Sequence, residues 1–308
     1  MDNNDNQLID ETGRITITNL YNYGMPFIRY QNEDIGELKS ITIKGISCCL
    51  PDNKVLNTDY YEKFGKDLVD KVIKMTGINA RYTAIKEQCA SDLAYTAAER
   101  LIEKAWETEN RFDKIRLAKK AIQIYPDCVD AYIILAQEEE KIEKAKEIYQ
   151  KAVEIGERVL GKEGFEEYAG HFWGFLETRP YMRAREGLVS CLWELGEYNE
   201  AINHCKEMLK LNPNDNQGIR YILISCYAIL EKYDELEKFM NSEMYRDDSL
   251  AQWAYTKALL TFVKEGPSKK ANEELKAAFE ENQYVPDYLT EKKEIPEIFS
   301  NMVAIGSE

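Results

Sequence analysis

Cysteine and histidine are the side chains in this sequence that could act as nucleophiles or bind a metal ion. The cysteines are Cys48, Cys49, Cys89, Cys128, Cys191, Cys205 and Cys226. Their count of seven is odd and none forms a CxxC pair, so neither a disulfide framework nor a zinc ribbon is predicted. His204 and Cys205 are adjacent, and adjacent residues of a helix point in different directions. The sequence therefore predicts no metal site and no cofactor.

Cys89 is the cysteine whose position favours a lowered thiol pKa, because it precedes a helix that begins near Ser91 and Asp92. A cysteine nucleophile also needs a neighbouring base. The two histidines, His171 and His204, lie far from Cys89 in the sequence. The sequence therefore predicts no catalytic residue and a protein that is not an enzyme.

A cluster of arginine and aromatic residues is the second candidate for chemistry. Arg179, Tyr181, Arg183 and Arg185 stand at alternate positions of an acidic chain. Arginine can bind a carboxylate through two parallel hydrogen bonds. One interpretation is that Arg179 and Arg183 bind an acidic or C-terminal peptide, while Tyr181 and Trp193 give apolar contact. The alternative is that Tyr181 and Trp193 pack between helices while the arginines pair with surface glutamates.

The elements that position this cluster belong to a repeat. The stretch GLVSCLWELGEYNEAI (187–202) shares its apolar pattern with ILISCYAILEKYDEL (222–236). Each predicts an apolar helix, a tight turn and a second helix, and Gly196 supplies the backbone angles needed in the first turn. Further copies lie at 126–152 and near 252–286.

This pattern resembles the tetratricopeptide repeat (TPR), a helix hairpin of about 34 residues with small and aromatic residues at set positions. The resemblance covers about 110–308 and implies an α-α superhelix, because one hairpin cannot bury its own apolar face. The stretch GHFWGFLETRPYMRAREGL (170–188), followed by LNPNDNQGIRYIL (211–223), resembles an uncharacterised group of bacterial TPR proteins. That group is weakly linked to the suppressor-of-tumorigenicity TPR family.

The TPR resemblance also implies where a partner binds, because set positions of each first helix line the concave face in that family. Those positions and the arginine cluster together give the predicted partner-binding residues Arg179, Tyr181, Arg183, Glu186, Ser190, Trp193, Tyr221 and Ser225. The groove lacks the lysine and asparagine residues with which some TPR domains clamp a C-terminal carboxylate.

The N-terminal third resembles pieces of two enzyme families. GRITITNLYNYGMPFIRYQNEDIGEL (13–38) is similar to the end of the large domain of phenylacetate-CoA ligases, with Arg29, Tyr30 and Asp34 in place. A glutamate stands where that family has a glycine before the aspartate. The stretch 41–105 resembles the start of 3-oxoacyl-acyl-carrier-protein synthase III. Neither piece includes its family's reactive centre, so a natural fusion, an artefact or an engineered join would each explain the mosaic.

The expected fold is mainly α, with a small mixed α/β N-terminal segment. The predicted domains are a ligase-like β fragment at 1–40, expected to be poorly ordered, a synthase-like fragment at 41–106, a TPR array at 107–290 and a tail at 291–308.

The formal charge of −15 argues against sequence-independent nucleic-acid binding, which needs clustered lysine and arginine. No apolar stretch is long enough to cross a bilayer, and the start of the chain lacks a signal-peptide pattern. These features predict a cytoplasmic, non-catalytic TPR scaffold that binds a protein or peptide, without nucleic acid or membrane. The alternative function is an enzyme or accessory subunit of acyl-CoA or acyl-carrier-protein chemistry.

Overall fold

The computed structural model describes residues 12–19, 28–37, 51, 53–83 and 89–294. The chain divides into two compact units, one of Met1–Thr108 with Lys120–Pro126 and one of Glu109–Lys119 with Asp127–Glu308. The predicted boundaries at residues 40, 106 and 290 stay predictions.

The described part of the first unit contains two small antiparallel strand pairs. Strand β1 (Thr12–Asn19) pairs with β2 (Ile28–Glu37), and β3 (Asn53–Leu56) pairs with β4 (Ala80–Thr83). The ligase-like residues Arg29, Tyr30 and Asp34 fall on β2.

A short helical connection joins β3 to β4. It consists of a 3-10 turn (Asn57–Tyr60), helix α1 (Tyr61–Phe64) and helix α2 (Lys66–Thr76). Buried Asn57 closes this connection, because its amide nitrogen donates to the Asn79 carbonyl at 2.9 Å and its side chain donates to the Ile78 carbonyl at 2.6 Å. Helix α3 (Ala90–Glu107) follows. Strands and helices mix in this unit, so the predicted α/β N-terminal segment is confirmed.

The second unit is built from helices. Helix α4 (Arg111–Ile124) contributes residues to both units. The others are α5 (Val129–Gln137), α6 (Ile142–Glu167), α7 (Arg179–Glu194), α8 (Tyr198–Leu211), α9 (Ile219–Ile229), α10 (Tyr233–Met240), α11 (Ala251–Glu265), α12 (Lys269–Glu281) and α13 (Val285–Leu289).

These helices form successive hairpins, α5 with α6, α7 with α8, α9 with α10 and α11 with α12. The turn between α7 and α8 uses Gly196 at φ 74°, as the sequence predicts. The turn between α9 and α10 places Glu231 in the same left-handed region, at φ 54°. The mainly helical repeat architecture is therefore confirmed.

Small and aliphatic side chains fill the space between helices of the array. Ala184, Leu188 and Ala201 are completely buried, and so are Ile224 and Leu236 on the following hairpin. One hairpin cannot cover these side chains alone, so the array's core forms by stacking.

The segment between α6 and α7 interrupts the repeat. Gly161 breaks α6 with φ 57°, and the chain becomes irregular after Glu167. Phe172 is completely buried and its amide nitrogen donates to the Leu211 carbonyl at 3.2 Å. The Thr178 hydroxyl donates to the Phe172 carbonyl. This packing fixes the entry of the chain into α7.

Candidate peptide-binding cleft

A cleft of about 540 Å³ lies beside α5 and α7, the first helices of two successive hairpins. Its lining residues are Ile133, Ala136, Gln137, Glu139, Glu140, Ile142, Tyr149, Arg183, Glu186, Gly187, Ser190, Cys191 and Glu194. A cavity of this size is within the range of small-ligand and peptide side-chain sites.

The floor of the cleft is apolar and closely packed. Ile133, Ala136 and Tyr149 are buried. A Cβ atom added to Gly187 would lie 2.2 Å from the Tyr149 ring, so the glycine allows α7 to approach that ring. Burial raises the pKa of Tyr149 to about 12, which keeps its hydroxyl protonated at neutral pH.

Arg183 lies at the mouth of the cleft and is already paired within the protein. Its Nη2 donates to both carboxylate oxygens of Asp130 at 2.8 Å, and its Nε donates to Oδ1 at 3.1 Å. Burial raises the pKa of Asp130, and the Arg183 charge opposes that rise. The guanidinium charge is therefore largely compensated before any ligand arrives.

The Glu186 carboxylate accepts a hydrogen bond from an uncharged neighbour. The Gln217 side-chain amide donates to Glu186 Oε2 and lies 3.4 Å from the Met182 carbonyl, to which it also donates. Burial raises the pKa of Glu186, while the Gln217 hydrogen bond and Arg183 lower it. A cation near the Glu186 carboxylate would offset the free-energy cost of removing that carboxylate from water.

Three further glutamates give the rim negative charge. Glu139 accepts hydrogen bonds from the amide nitrogens of Glu140 and Lys141 at 3.1 and 3.2 Å. Glu140 forms an ion pair with Arg111 at 2.5 Å. Glu194 is exposed at the end of α7.

Three of the eight predicted binding residues, Arg183, Glu186 and Ser190, line this cleft together. Ser190 is exposed, and its hydroxyl donates to the Glu186 carbonyl at 3.1 Å. The spacing that brings them onto one face is the helical period of α7.

The aromatic members of the arginine cluster lie outside the cleft. Tyr181 is 2% exposed, its ring packs edge-to-face on Phe165, and its hydroxyl donates to Glu157 at 3.2 Å. Trp193 packs edge-to-face on Tyr198, with ring centroids 5.2 Å apart. These contacts match the alternative in which both aromatic rings pack between helices.

The arginines outside the cleft also have intramolecular acceptors. Arg179 Nε donates to the Trp173 carbonyl at 2.9 Å. Arg185 Nη2 lies 3.3 Å from Glu157 Oε1 and forms an ion pair with it. With Arg183 bound to Asp130, three arginines of the cluster contribute to packing of the array. Nothing in the sequence identified Asp130 as the partner of Arg183, because the two residues are distant along the chain.

Tyr221 and Ser225 continue the predicted surface along α9. The Tyr221 hydroxyl donates to Asp248 Oδ2 at 2.8 Å. Gln252 on α11 donates to the Ser225 hydroxyl at 2.9 Å. Both side chains therefore connect the α9 hairpin to the next hairpin, away from the cleft.

The cysteines of the array are poorly suited to nucleophilic chemistry. Burial raises the pKa of Cys191 and of Cys226 to about 11, and it raises the pKa of Cys205 as well. These thiols are therefore protonated at neutral pH. Cys89 is exposed, and Cys48 and Cys49 lie outside the described residues.

The described residues hold neither a cluster of metal-binding side chains nor a membrane-spanning helix. No group of three cysteine, histidine or acidic side chains there could hold a metal ion. No helix in the same ranges is long and apolar enough to cross a bilayer.

Comparison with protein families and curated proteins places the chain among ST7 proteins. A family model described as ST7 protein matches residues 84–299. The Protein ST7 homolog of Drosophila melanogaster is 27% identical over 63% of this chain and 40% of its own length. The human suppressor of tumorigenicity 7 protein-like is 27% identical over 63% of this chain and 38% of its length. The chain thus spans about two fifths of these relatives.

Solved structures of TPR proteins resemble the chain more distantly. YrrB, described as a TPR protein with an unusual peptide-binding site, is 19% identical and has a TM-score of 0.41, covering 71% of this chain and 93% of its own. MamA is 16% identical with a TM-score of 0.41, covering 66% of this chain and 98% of its own.

These findings change two expectations. The bacterial TPR group is not confirmed, since the family model and the animal relatives are those of ST7 proteins. The two enzyme resemblances of the N-terminal third also gain no support from these matches. The ST7 match begins at residue 84, so it includes the SDLAYTAAERLIEKA stretch, part of the segment that resembles the synthase.

Proposed function

The chain belongs to the ST7 family, and from that premise we propose that its helical array is a non-catalytic scaffold that binds a protein or peptide partner in the cleft between α5 and α7. The observation that carries the proposal is the cleft itself. Arg183, Glu186 and Ser190 stand at the groove positions of a TPR first helix, and the structure brings them together above an apolar floor.

The shape and packing of the cleft suit an extended segment. Half-buried Ile142 offers apolar surface above the buried floor, and polar groups surround it, which is the usual arrangement of a binding site with few orienting groups. The supporting elements are helices, which hold a site more rigidly than loops do. The peptide would therefore meet a surface that needs little reorganisation.

A non-catalytic role fits the chemistry of the array. The thiol of Cys191 lines the cleft, and its raised pKa leaves it protonated and weakly nucleophilic. Tyr149, also at the cleft, is held protonated by burial. The proposal extends to Tyr221 and Ser225 as a continuation of the surface, while Arg179 and Trp193 stay predictions. It leaves out Tyr181, whose side chain is buried.

Screening of an immobilised random peptide library against the full chain tests the proposal. Ser190→Trp should fill the cleft without disturbing the core, because Ser190 is exposed. We expect wild type to retain a set of peptides that this variant loses at least tenfold. Asn203→Trp, on an exposed position of α8, is the matched control and should retain them.

Two results would overturn the proposal. Equal retention by wild type and Ser190→Trp would show that peptides bind elsewhere. Failure of wild type to retain any peptide above the level of an unrelated helical protein would remove the binding function itself. Circular dichroism of each variant establishes that the array is folded.

A further inference from the structure

We propose that the segment bound in the cleft is basic and places a lysine or arginine side chain among the cleft's glutamates. This inference rests on the proposed peptide-binding function and adds the chemistry of the partner. The arginine cluster suggested an acidic peptide from sequence, whereas this inference gives the peptide the opposite charge.

Negative side chains outnumber positive ones in the lining of the cleft. Glu139, Glu140, Glu186 and Glu194 contribute four carboxylates, and Arg183 is the one basic residue among the described residues that line the cleft. Arg183 is bound by Asp130 through three donor–acceptor contacts of 2.8 to 3.1 Å. Its charge is therefore shared with Asp130 on α5 and offsets the four glutamates only in part.

Basic residues around the cleft are likewise already paired with carboxylates of the protein. Lys146 pairs with Glu197 at 2.6 Å, and Lys114 pairs with Glu138 at 3.3 Å. Arg111 pairs with Glu138 and with Glu140. Of the four lining glutamates, only Glu140 has a salt bridge among the residues that the structure describes. The cleft therefore carries uncompensated negative charge.

The apolar floor and the acidic groups together fit the two halves of a long basic side chain. The methylene stem of lysine or arginine packs on apolar surface while its charged end stays with polar groups. Half-buried Ile142 provides apolar surface beside the buried floor of Ile133, Ala136 and Tyr149, and Glu186 and Glu194 provide carboxylates.

An acidic peptide would meet the opposite situation. Its carboxylates would face glutamates in a partly desolvated cleft, and like charges across an interface are unfavourable. The formal charge of −15 adds a long-range field that attracts basic segments and repels acidic ones. The charge of the cleft and the net charge of the chain therefore both favour a basic partner.

Oriented peptide libraries measure this preference directly on the full chain. Each library fixes one central position as lysine, arginine, Nε-acetyl-lysine or glutamate, with the flanking positions randomised. We expect the lysine and arginine libraries to be retained about tenfold more than the other two. Acetyl-lysine is the sharper comparison, because it keeps the stem and removes the charge. Retention should also decrease as salt rises.

Glutamine variants locate the charge that produces the preference. Glu186→Gln and Glu194→Gln should each lower the lysine-to-acetyl-lysine ratio about threefold or more. Glu194 is exposed, so its variant is expected to fold even if the Glu186 variant does not. Glu200→Gln, an exposed change on α8 outside the cleft, should leave the ratio unchanged.

The outcomes separate this inference from the proposed function. Peptides that bind in a Ser190→Trp-sensitive way without a lysine or arginine preference would overturn the basic partner and leave the scaffold function intact. Preferential retention of the glutamate library would do the same. Absence of any peptide binding would overturn both proposals.

Discussion

Arg183 on α7 and Asp130 on α5 connect the first helices of two successive hairpins. Their bidentate contact uses Nη2 and Nε of the arginine and both oxygens of the aspartate. The Asp130 side chain is 15% exposed and that of Arg183 is 31% exposed, so solvent screens the pair only in part. This pair helps to fix the spacing of the helices that border the cleft.

A double-mutant cycle with Asp130→Asn and Arg183→Gln tests this coupling. We expect the two changes to interact by about 1–2 kcal/mol in the free energy of unfolding, as partly buried partners do. Urea unfolding followed by the helical signal of the array gives the four values. The exposed pair Asp127 and Arg158, whose side chains are 38% and 62% exposed, is the control.

For Asp127→Asn and Arg158→Gln, the same cycle should give a coupling below about 0.5 kcal/mol, because exposed ion pairs are screened. Similar coupling for both pairs would contradict a special role of Asp130 in positioning α7.

The helix hairpins were predictable from sequence because their apolar period repeats. Gly196 marked one turn, and Arg183, Glu186 and Ser190 shared a helix face by spacing alone. Their meeting in the cleft follows from that spacing together with the neighbouring hairpin, which supplies Ile133 and its neighbours.

Pairings between hairpins were not predictable from one sequence. Periodicity tells which residues share a face, but not which residue of another helix they meet. Asp130 therefore could not be assigned to Arg183. Tyr181 illustrates the same limit, since an aromatic residue beside arginines suits either a binding surface or a core, and Phe165 and Glu157 decide for the core.

Gly187 allows α7 to approach the ring of Tyr149. We expect Gly187→Ala to destabilise the array, because overpacking costs about 1–3 kcal/mol while the gain in helix propensity is at most about 1 kcal/mol. Thermal unfolding measures the change. Gly164→Ala is the control, since its new Cβ would meet Leu160 at an ordinary 3.4 Å.

Gly164→Ala should leave stability unchanged or raise it, by up to about 1 kcal/mol. A neutral Gly187→Ala variant would show that the Tyr149 ring moves aside at little cost.

Gly196 and Glu231 occupy equivalent turns with different backbone strain. The amide nitrogen after each residue closes the turn, Glu197 donating to Leu192 at 2.8 Å and Lys232 donating to Tyr227 at 2.9 Å. A left-handed conformation costs a residue with a side chain about 1–2 kcal/mol, while glycine loses about 0.5–1 kcal/mol through backbone entropy.

Glu231→Gly should therefore stabilise the array by about 0.5–1 kcal/mol. The reciprocal Gly196→Ala should destabilise it by about 1 kcal/mol. Chemical denaturation of the two variants and wild type gives both signs. A destabilising Glu231→Gly would indicate that the glutamate side chain makes a contribution larger than the strain it brings.

His204 lies on α8 in a half-buried position that disfavours its charged form. Burial lowers the pKa of His204, the Arg185 charge lowers it further, and Glu157 opposes both. Among the described residues its Nδ1 atom is buried without a hydrogen-bond partner. The folded state thus holds a neutral imidazole at pH values where the unfolded chain binds a proton.

Stability should therefore fall as the pH falls below the ordinary histidine pKa of 6.5. Only the unfolded state takes up the proton in the window between that value and the lowered pKa, so the unfolding free energy decreases by at most about 1.4 kcal/mol per pH unit. Below the lowered pKa both states are protonated and this contribution becomes constant. His204→Asn, which keeps an N–H donor without the titration, should remove the decrease.

The measurement is urea unfolding from pH 7.5 to 5 for wild type, His204→Asn and the control His171→Asn. The chain has two histidines, and exposed His171 is the other one. Carboxylates titrate in all three proteins, so the difference between wild type and His204→Asn isolates the His204 imidazole. We expect that difference to change below pH 6.5, while the His171→Asn variant, which retains His204, controls for the loss of a histidine side chain as such. If the His204 difference is flat, the His204 imidazole titrates in the folded chain as it does in the unfolded one.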